Sequence, residues 1–148
     1  MHAQQQVLNA LQTLLAAGGT VASTRVFLDR VDPLQSDELP AISIEEDAEG
    51  ETAQMYTVDN LQQRDLTVTV NCILSHATTA AADARSFGLA VEKLIAPSTA
   101  LAALCSLGVN ITASRQINNA EGDRLFAARQ QTWRFSYLGN PATPDTIV

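Results

Sequence analysis

Two histidines, two cysteines and a set of paired carboxylates are the groups in this sequence that could do chemistry. His76 directly follows Ser75. Nucleophilic catalysis needs a hydroxyl, a base and an orienting carboxylate to converge. Neighbours in a strand point to opposite faces, so the Ser75-His76 dipeptide is not half of a triad. His2 lies at the terminus and is expected to be disordered. Cys72 and Cys105 sit in apolar patterns, far apart, with no histidine at ligand spacing. A zinc site is therefore not expected, and reduced, buried thiols are. The acidic pairs Asp37-Glu38 and Glu45-Glu46 could serve hydrolysis or hold a cation. They lack the calcium-loop spacing and an aromatic-rich cleft, so a solvated acidic face is expected. Gly18-Gly19 follows a helical pattern and caps it, and no GxGxxG or phosphate loop occurs. The expectation is no catalytic residue, no metal and no cofactor, hence not an enzyme. A small hydrolase using His76 is the alternative from a different class.

The elements that would position these groups can be read from periodicity. Val7, Leu8, Leu11, Leu14 and Leu15 recur at helical spacing over residues 3 to 17. Residues 25 to 31 read as a short strand that Asp32-Pro33 breaks, and residues 41 to 44 as a second. A mobile acidic loop is expected from Glu45 to about Asn60. Residues 64 to 75 alternate apolar and polar, with Leu66, Val68, Val70, Cys72 and Leu74 on one face. A long helix, capped by Thr78 or Thr79, runs to Ala96, with Ala82, Phe87, Ala90, Val91, Leu94 and Ile95 inward. Pro97 stops it. Ser98 caps a short helical turn that Gly108 closes. A C-terminal β-hairpin follows. Its second strand, about 126 to 138, sets Arg129, Gln131, Trp133, Phe135 and Tyr137 on one face. Residues 139 to 148 read as a tail. Together these predict a single α+β domain over 1 to 148. A mixed or antiparallel sheet of four to five strands would pack against two main helices.

Charge patterning excludes some functions and suggests others. The net charge is -7. The cations are one lysine, Lys93, and eight scattered arginines, so there is no basic stripe of the kind nucleic-acid binding requires. No stretch approaches the roughly 18 apolar residues of a membrane span. The start, Met1 to Gln6, lacks the pattern of a signal peptide, so a cytoplasmic protein is expected. Residues 29 to 65 hold eleven of the sixteen acids and only two cations, Arg30 and Arg64. Residues 115 to 134 hold Arg115, Arg124, Arg129 and Arg134 against Glu121 and Asp123. Arginine forks onto carboxylates and is favoured at interfaces. Candidate subunit-contact residues are therefore Asp37, Glu38, Glu45, Glu46 and Asp47 on one side, and Arg115, Arg129 and Arg134 on the other. A head-to-tail ring would bring the two sides together.

Three stretches give this layout a likeness. They are Val26-Phe27-Leu28, then Asp37-Glu38-Leu39-Pro40-Ala41-Ile42-Ser43-Ile44, and the closing segment Gly122 to Tyr137. In the last, Leu125-Phe126 leads into an alternating strand ending Phe135-Ser136-Tyr137. In these stretches, and in the order of its elements, the chain resembles the tail terminator (minor tail) proteins of long-tailed, lambda-like phages. The resemblance implies a virion protein whose copies form a homo-hexameric ring on the head-proximal end of the tail. The implied partners are the tail-tube protein and a head-completion (neck) protein, with no membrane. DNA would pass through the lumen only as cargo. Another ring-forming neck or tail-tube protein and a monomeric adaptor are the competing readings.

Overall fold

A computed structural model describes residues 1–55, 60–76, 78–121 and 124–148. Helix α1 spans Ala3–Ala17, and Val7, Leu8, Leu11 and Leu15 are its buried stripe. Gly19, at φ +70°, takes the left-handed conformation that ends it. The short strand β1, Val26–Leu28, pairs in parallel with the start of β2, Ala41–Met55. β2 runs antiparallel to β3, Gln62–His76. Helix α2, Ala80–Ile95, and the short helix α3, Thr99–Leu104, follow. The chain then forms a long hairpin, β4 (Gly108–Glu121) with β5 (Arg124–Asn140), and a last strand, β6 (Thr143–Ile147). The sheet order is β1-β2-β3-β5-β4, with β6 paired to β5. Ser98 caps α3 as expected, its Oγ accepting from the Leu101 N–H at 3.2 Å.

One face of the sheet carries Leu66, Val68, Val70 and Cys72 of β3 beside Gln131, Trp133, Phe135 and Tyr137 of β5, all buried. α2 crosses this face over β3 and β5, and α1 lies against β1, α2 and α3. Burying these apolar side chains against the helices is the main favourable term in the fold. Gly88 makes the crossing close. A Cβ there would stand 2.7 Å from the Arg129 Cγ and 3.1 Å from the Gln131 Nε2. Gln131 answers the buried polar problem by donating to the Gly88 carbonyl at 2.9 Å and accepting from the Trp133 Nε1–H at 3.0 Å. The buried stripe of α2 is Ala80, Ala84, Phe87, Gly88, Val91 and Ile95, while the expected Ala82 is exposed.

The fold is the α+β class that periodicity predicts, with three further differences. The acidic segment from Glu45 is strand as far as Met55, where a loop is expected. Its side chains are mostly exposed, so burial does not hold it. Backbone pairing with β3 does, interrupted by a bulge between Glu46 and Glu51 at which Gly50 has φ +63°. The rest of that expected loop, residues 56 to 59, lies outside the described residues. The expected tail carries a sixth strand: β6 folds back on Gly139 and Asn140, and the Gln6 side chain holds the Asp145 carbonyl at 2.7 Å. Pro144 is tolerated there because an edge strand does not need every N–H. Finally, His2 is not loose. Its Nδ1 accepts from the Gln4 N–H at 3.2 Å and caps α1.

Candidate assembly interface

The predicted acidic and cationic residues occupy opposite sides of the sheet. Glu45, Glu46 and Asp47 lie on β2, next to the β1 side, whereas Arg115 lies on β4 at the far edge. Glu45 and Glu46 are exposed. Asp47 is half-buried and accepts from the Thr69 hydroxyl at 2.8 Å and the Glu49 N–H at 3.2 Å. Asp37 and Glu38 form a 3-10 turn, Ser36–Glu38, before β2. Asp37 is exposed, but Glu38 is engaged within the chain. Arg30 forks onto its carboxylate, with Nη2 to Oε1 at 2.7 Å and Nη1 to Oε2. The Arg30 guanidinium also stands 4.6 Å from the centre of the Phe27 ring. The Arg30 hydrogen bond holds the Glu38 carboxyl below its ordinary range.

The arginines do not form one patch. Arg134 is exposed on the polar face of β5. Arg129 projects from the other face, half-buried, with its stem against Gly88 of α2. Residues 129 and 134 differ by an odd number, so the alternation of a strand parts them. Arg129 and Arg134 therefore stand on opposite faces of β5, as the alternation along residues 126 to 138 predicts. Arg115 is exposed opposite Gln130, donating to its Oε1 at 2.6 Å. Arg115 and Arg134 share the polar face. Among the described residues the ion pairs are Arg30–Glu38 and Arg64–Glu51, so these three arginines engage no described carboxylate.

The polar face also carries Asp65, Thr67, Thr69 and Asn71 of β3 and Gln130, Thr132 and Ser136 of β5. Ser136 donates to the Asp65 Oδ1 at 2.6 Å. On the helix-covered face, at the end of the core, Glu51 takes 2.7 Å and 2.8 Å bonds from Arg64 Nη1 and the Tyr137 hydroxyl. Burial, then the bond to Glu51, raises the Tyr137 pKa. This network is internal. Sequence patterning missed it because Glu51 falls inside a run of acids that reads as solvated.

Groups that could do chemistry do not converge among the described residues. His76 Nδ1 accepts from the Thr78 and Thr79 N–H groups, both at 3.2 Å, and the Thr79 hydroxyl donates to Asp83 at 2.8 Å. His76 thus shapes the turn into α2, a role predicted for Thr78 or Thr79, and the Thr79 side chain makes no capping bond. Cys72 and Cys105 are free and buried, and burial pushes both thiols up to about 12. No cluster of three metal-ligating side chains occurs among the described residues. Two surface depressions, one beside Gln12, Thr24 and Val26 and one beside Val21, Asp83, Ser86 and Phe87, have no histidine, cysteine or lysine in their lining. None of the helices is long and apolar enough to cross a membrane, among the described residues.

The sheet's free edge is a feature that sequence patterning did not find. β4 closes the sheet on one side, and among the described residues its ladder is with β5 alone. Its residues from Asn110 to Arg115 are all exposed. Ile111 and Ile117 are 38% and 39% exposed, unusual for isoleucine in a strand. A bulge between Ile111 and Ala113 shifts the alternation, so Ile117 turns to the polar face while Ile111 stays opposite Trp133. Alternation read straight along the sequence would have put both on one face.

No protein-family model matches the chain, and no curated protein sequence matches it. Among solved structures it is similar to a chain from the "Virion of native gene transfer agent (GTA) particle". The identity is 14% and the TM-score 0.44, over 91% of this chain and 92% of that one. A similarity of that size does not carry a function from one chain to the other.

Proposed function

We propose that this protein is a phage or prophage structural component: a tail terminator whose copies close into a hexameric ring on the head-proximal end of the tail. In that role it stops growth of the tail tube, contacts the tube protein on one side and a head-completion protein on the other, and lets DNA pass. The observation that carries the reading is the separation of charge across one sheet. Exposed acids line β2, exposed Arg115 and Arg134 lie toward the far side, and neither arginine has a described carboxylate partner. A head-to-tail contact between copies supplies the missing partners, and such contacts make rings where the rotation between copies closes. The net charge of -7 suits a lumen through which DNA slides without sticking. The groups that catalysis would need are committed to turns and to the core.

The test is to grow tail tubes with and without the protein and view them by electron microscopy. A terminator gives tubes of fixed length with a ring at one end. Tubes that lengthen by incorporating the protein point instead to a tube or neck subunit. Tubes that neither bind it nor change length refute both.

A further inference from the structure

We infer that copies of this chain join by strand addition, the free edge of β4 in one copy pairing with the outer edge of β2 in the next. The inference deepens the ring reading and rests on it. Unpaired strand edges template association, and proteins usually blunt them with short strands, charges, proline or bulges. The two sides of this sheet are treated differently. On one side, β1 covers β2 only at Ile42, Ser43 and Ile44, which leaves β2 from Glu45 to Met55 paired on one side alone among the described residues. That segment is charged and bulged: Glu45, Glu46, Asp47, Glu49 and Glu51 occur with no cation.

On the other side, β4 has one bulge, between Ile111 and Ala113, but it is long and lacks proline and lysine, and from Gly108 to Asn118 its single charge is Arg115. It exposes Ile111 and Ile117 instead. Two β2 edges repel each other. An acidic edge meeting an Arg-bearing edge is attracted, and the isoleucines gain cover. The partner these features fit is thus a second copy, in head-to-tail register.

Proline at an edge position whose N–H faces solvent leaves the monomer's sheet intact but blocks an incoming strand. N–H directions alternate along a strand, so one of Ser114→Pro and Arg115→Pro, and one of Thr52→Pro and Ala53→Pro, meets that condition. Circular dichroism and thermal melting identify the folded variant of each pair. Arg115→Glu is a further β4-edge variant that leaves the backbone unchanged. Native mass spectrometry and light scattering then read assembly.

The expected result is that each folded variant needs at least about tenfold more protein to assemble. A β4-blocked and a β2-blocked copy, mixed, should form a 1:1 dimer and nothing larger, since each retains one good edge. Assembly unchanged in the folded proline variants and in Arg115→Glu overturns strand addition while leaving the ring reading standing. Assembly lost only in the β4 variants means that β4 pairs with itself, and overturns the head-to-tail pairing. An unaltered chain that stays monomeric at every concentration and does not bind tube ends overturns both readings.

Discussion

Gln131 holds the crossing of α2 over β5 in place, and its replacement by leucine has a magnitude that follows from its partners. The side chain is 1% exposed. It gives one hydrogen bond to the Gly88 carbonyl and takes one from the Trp133 Nε1–H. Gly88 sits within α2, so its carbonyl also belongs to the helical ladder and is not orphaned by the change. The Trp133 N–H has no such reserve, because the residue is 2% exposed. Stranding a buried donor costs about 1 to 3 kcal/mol, so Gln131→Leu should lower stability by about 2 kcal/mol. For a domain of this size that is roughly 4 to 8 °C in Tm.

Trp133→Phe should cost more, roughly 3 kcal/mol, because it strands the glutamine oxygen and opens a void. The double variant strands neither group. It should cost about 2 kcal/mol less than the sum of the singles, a coupling within the range for residues in contact. Urea titrations followed by circular dichroism give the four stabilities, provided the m-values agree. Costs that add to within about 0.5 kcal/mol would refute the coupling and show that α2 is held by packing alone.

Other consequences can be tested on the same protein. Arg64→Met leaves Glu51 without its cation at 10% side-chain exposure, whereas Tyr137→Phe leaves the Arg64–Glu51 pair in place. Arg64→Met should therefore cost roughly 3 kcal/mol and Tyr137→Phe about 1 kcal/mol in the same titration; the reverse order would contradict the network. Cys72 and Cys105, raised to about 12 by burial, should resist iodoacetamide at pH 8 in the native protein and react on unfolding; rapid native labelling by mass spectrometry would contradict their placement. The Glu38 carboxyl, lowered chiefly by Arg30, stabilises the fold fully above its ordinary value of 4.5, and that contribution is lost as pH falls through the lowered value. Glu38→Gln should therefore melt below the unaltered protein at pH 7 and converge with it in acid; a gap that widens on acidification would reverse the assignment.

The parts legible in the sequence are those where burial writes the pattern. α1, α2, β3 and β5 each have a buried face, so their period survives in the residue order. The acidic half of β2 has almost no buried face, and its strand character comes from a partner distant in sequence. Charge read locally says loop, and the ladder overrides it. Bulges hide a second kind of information. The register shift after Ile111 reverses which face the later β4 residues take, and the acids of β2 are divided by another shift at Glu46. On β5, whose pairing with β3 has no register shift, the faces of the candidate arginines were legible as well as their charges. Five positions separate Arg129 from Arg134 on one strand, which places them on opposite faces whatever their shared charge.

The same facts bear on why a contact between copies would be directional. A two-fold contact sets a surface against itself, so an acidic β2 edge would face another with the exposed carboxylates of Glu45, Glu46 and Glu49 opposed. A two-fold β4 contact would bring Arg115 near its own copy and leave the β2 acids unanswered. Only the unlike contact neutralises both edges, and it leaves every copy with one edge used and one free, so the chain of copies continues until it closes. Glu38 plays no part in this balance, because Arg30 already satisfies it. Nor does Arg129, whose stem the α2 crossing occupies. The charge segregation visible over whole segments of the sequence therefore narrows to two strand edges. Under the strand-addition proposal, Glu45, Glu46 and Arg115 are the exposed candidate residues on those two edges.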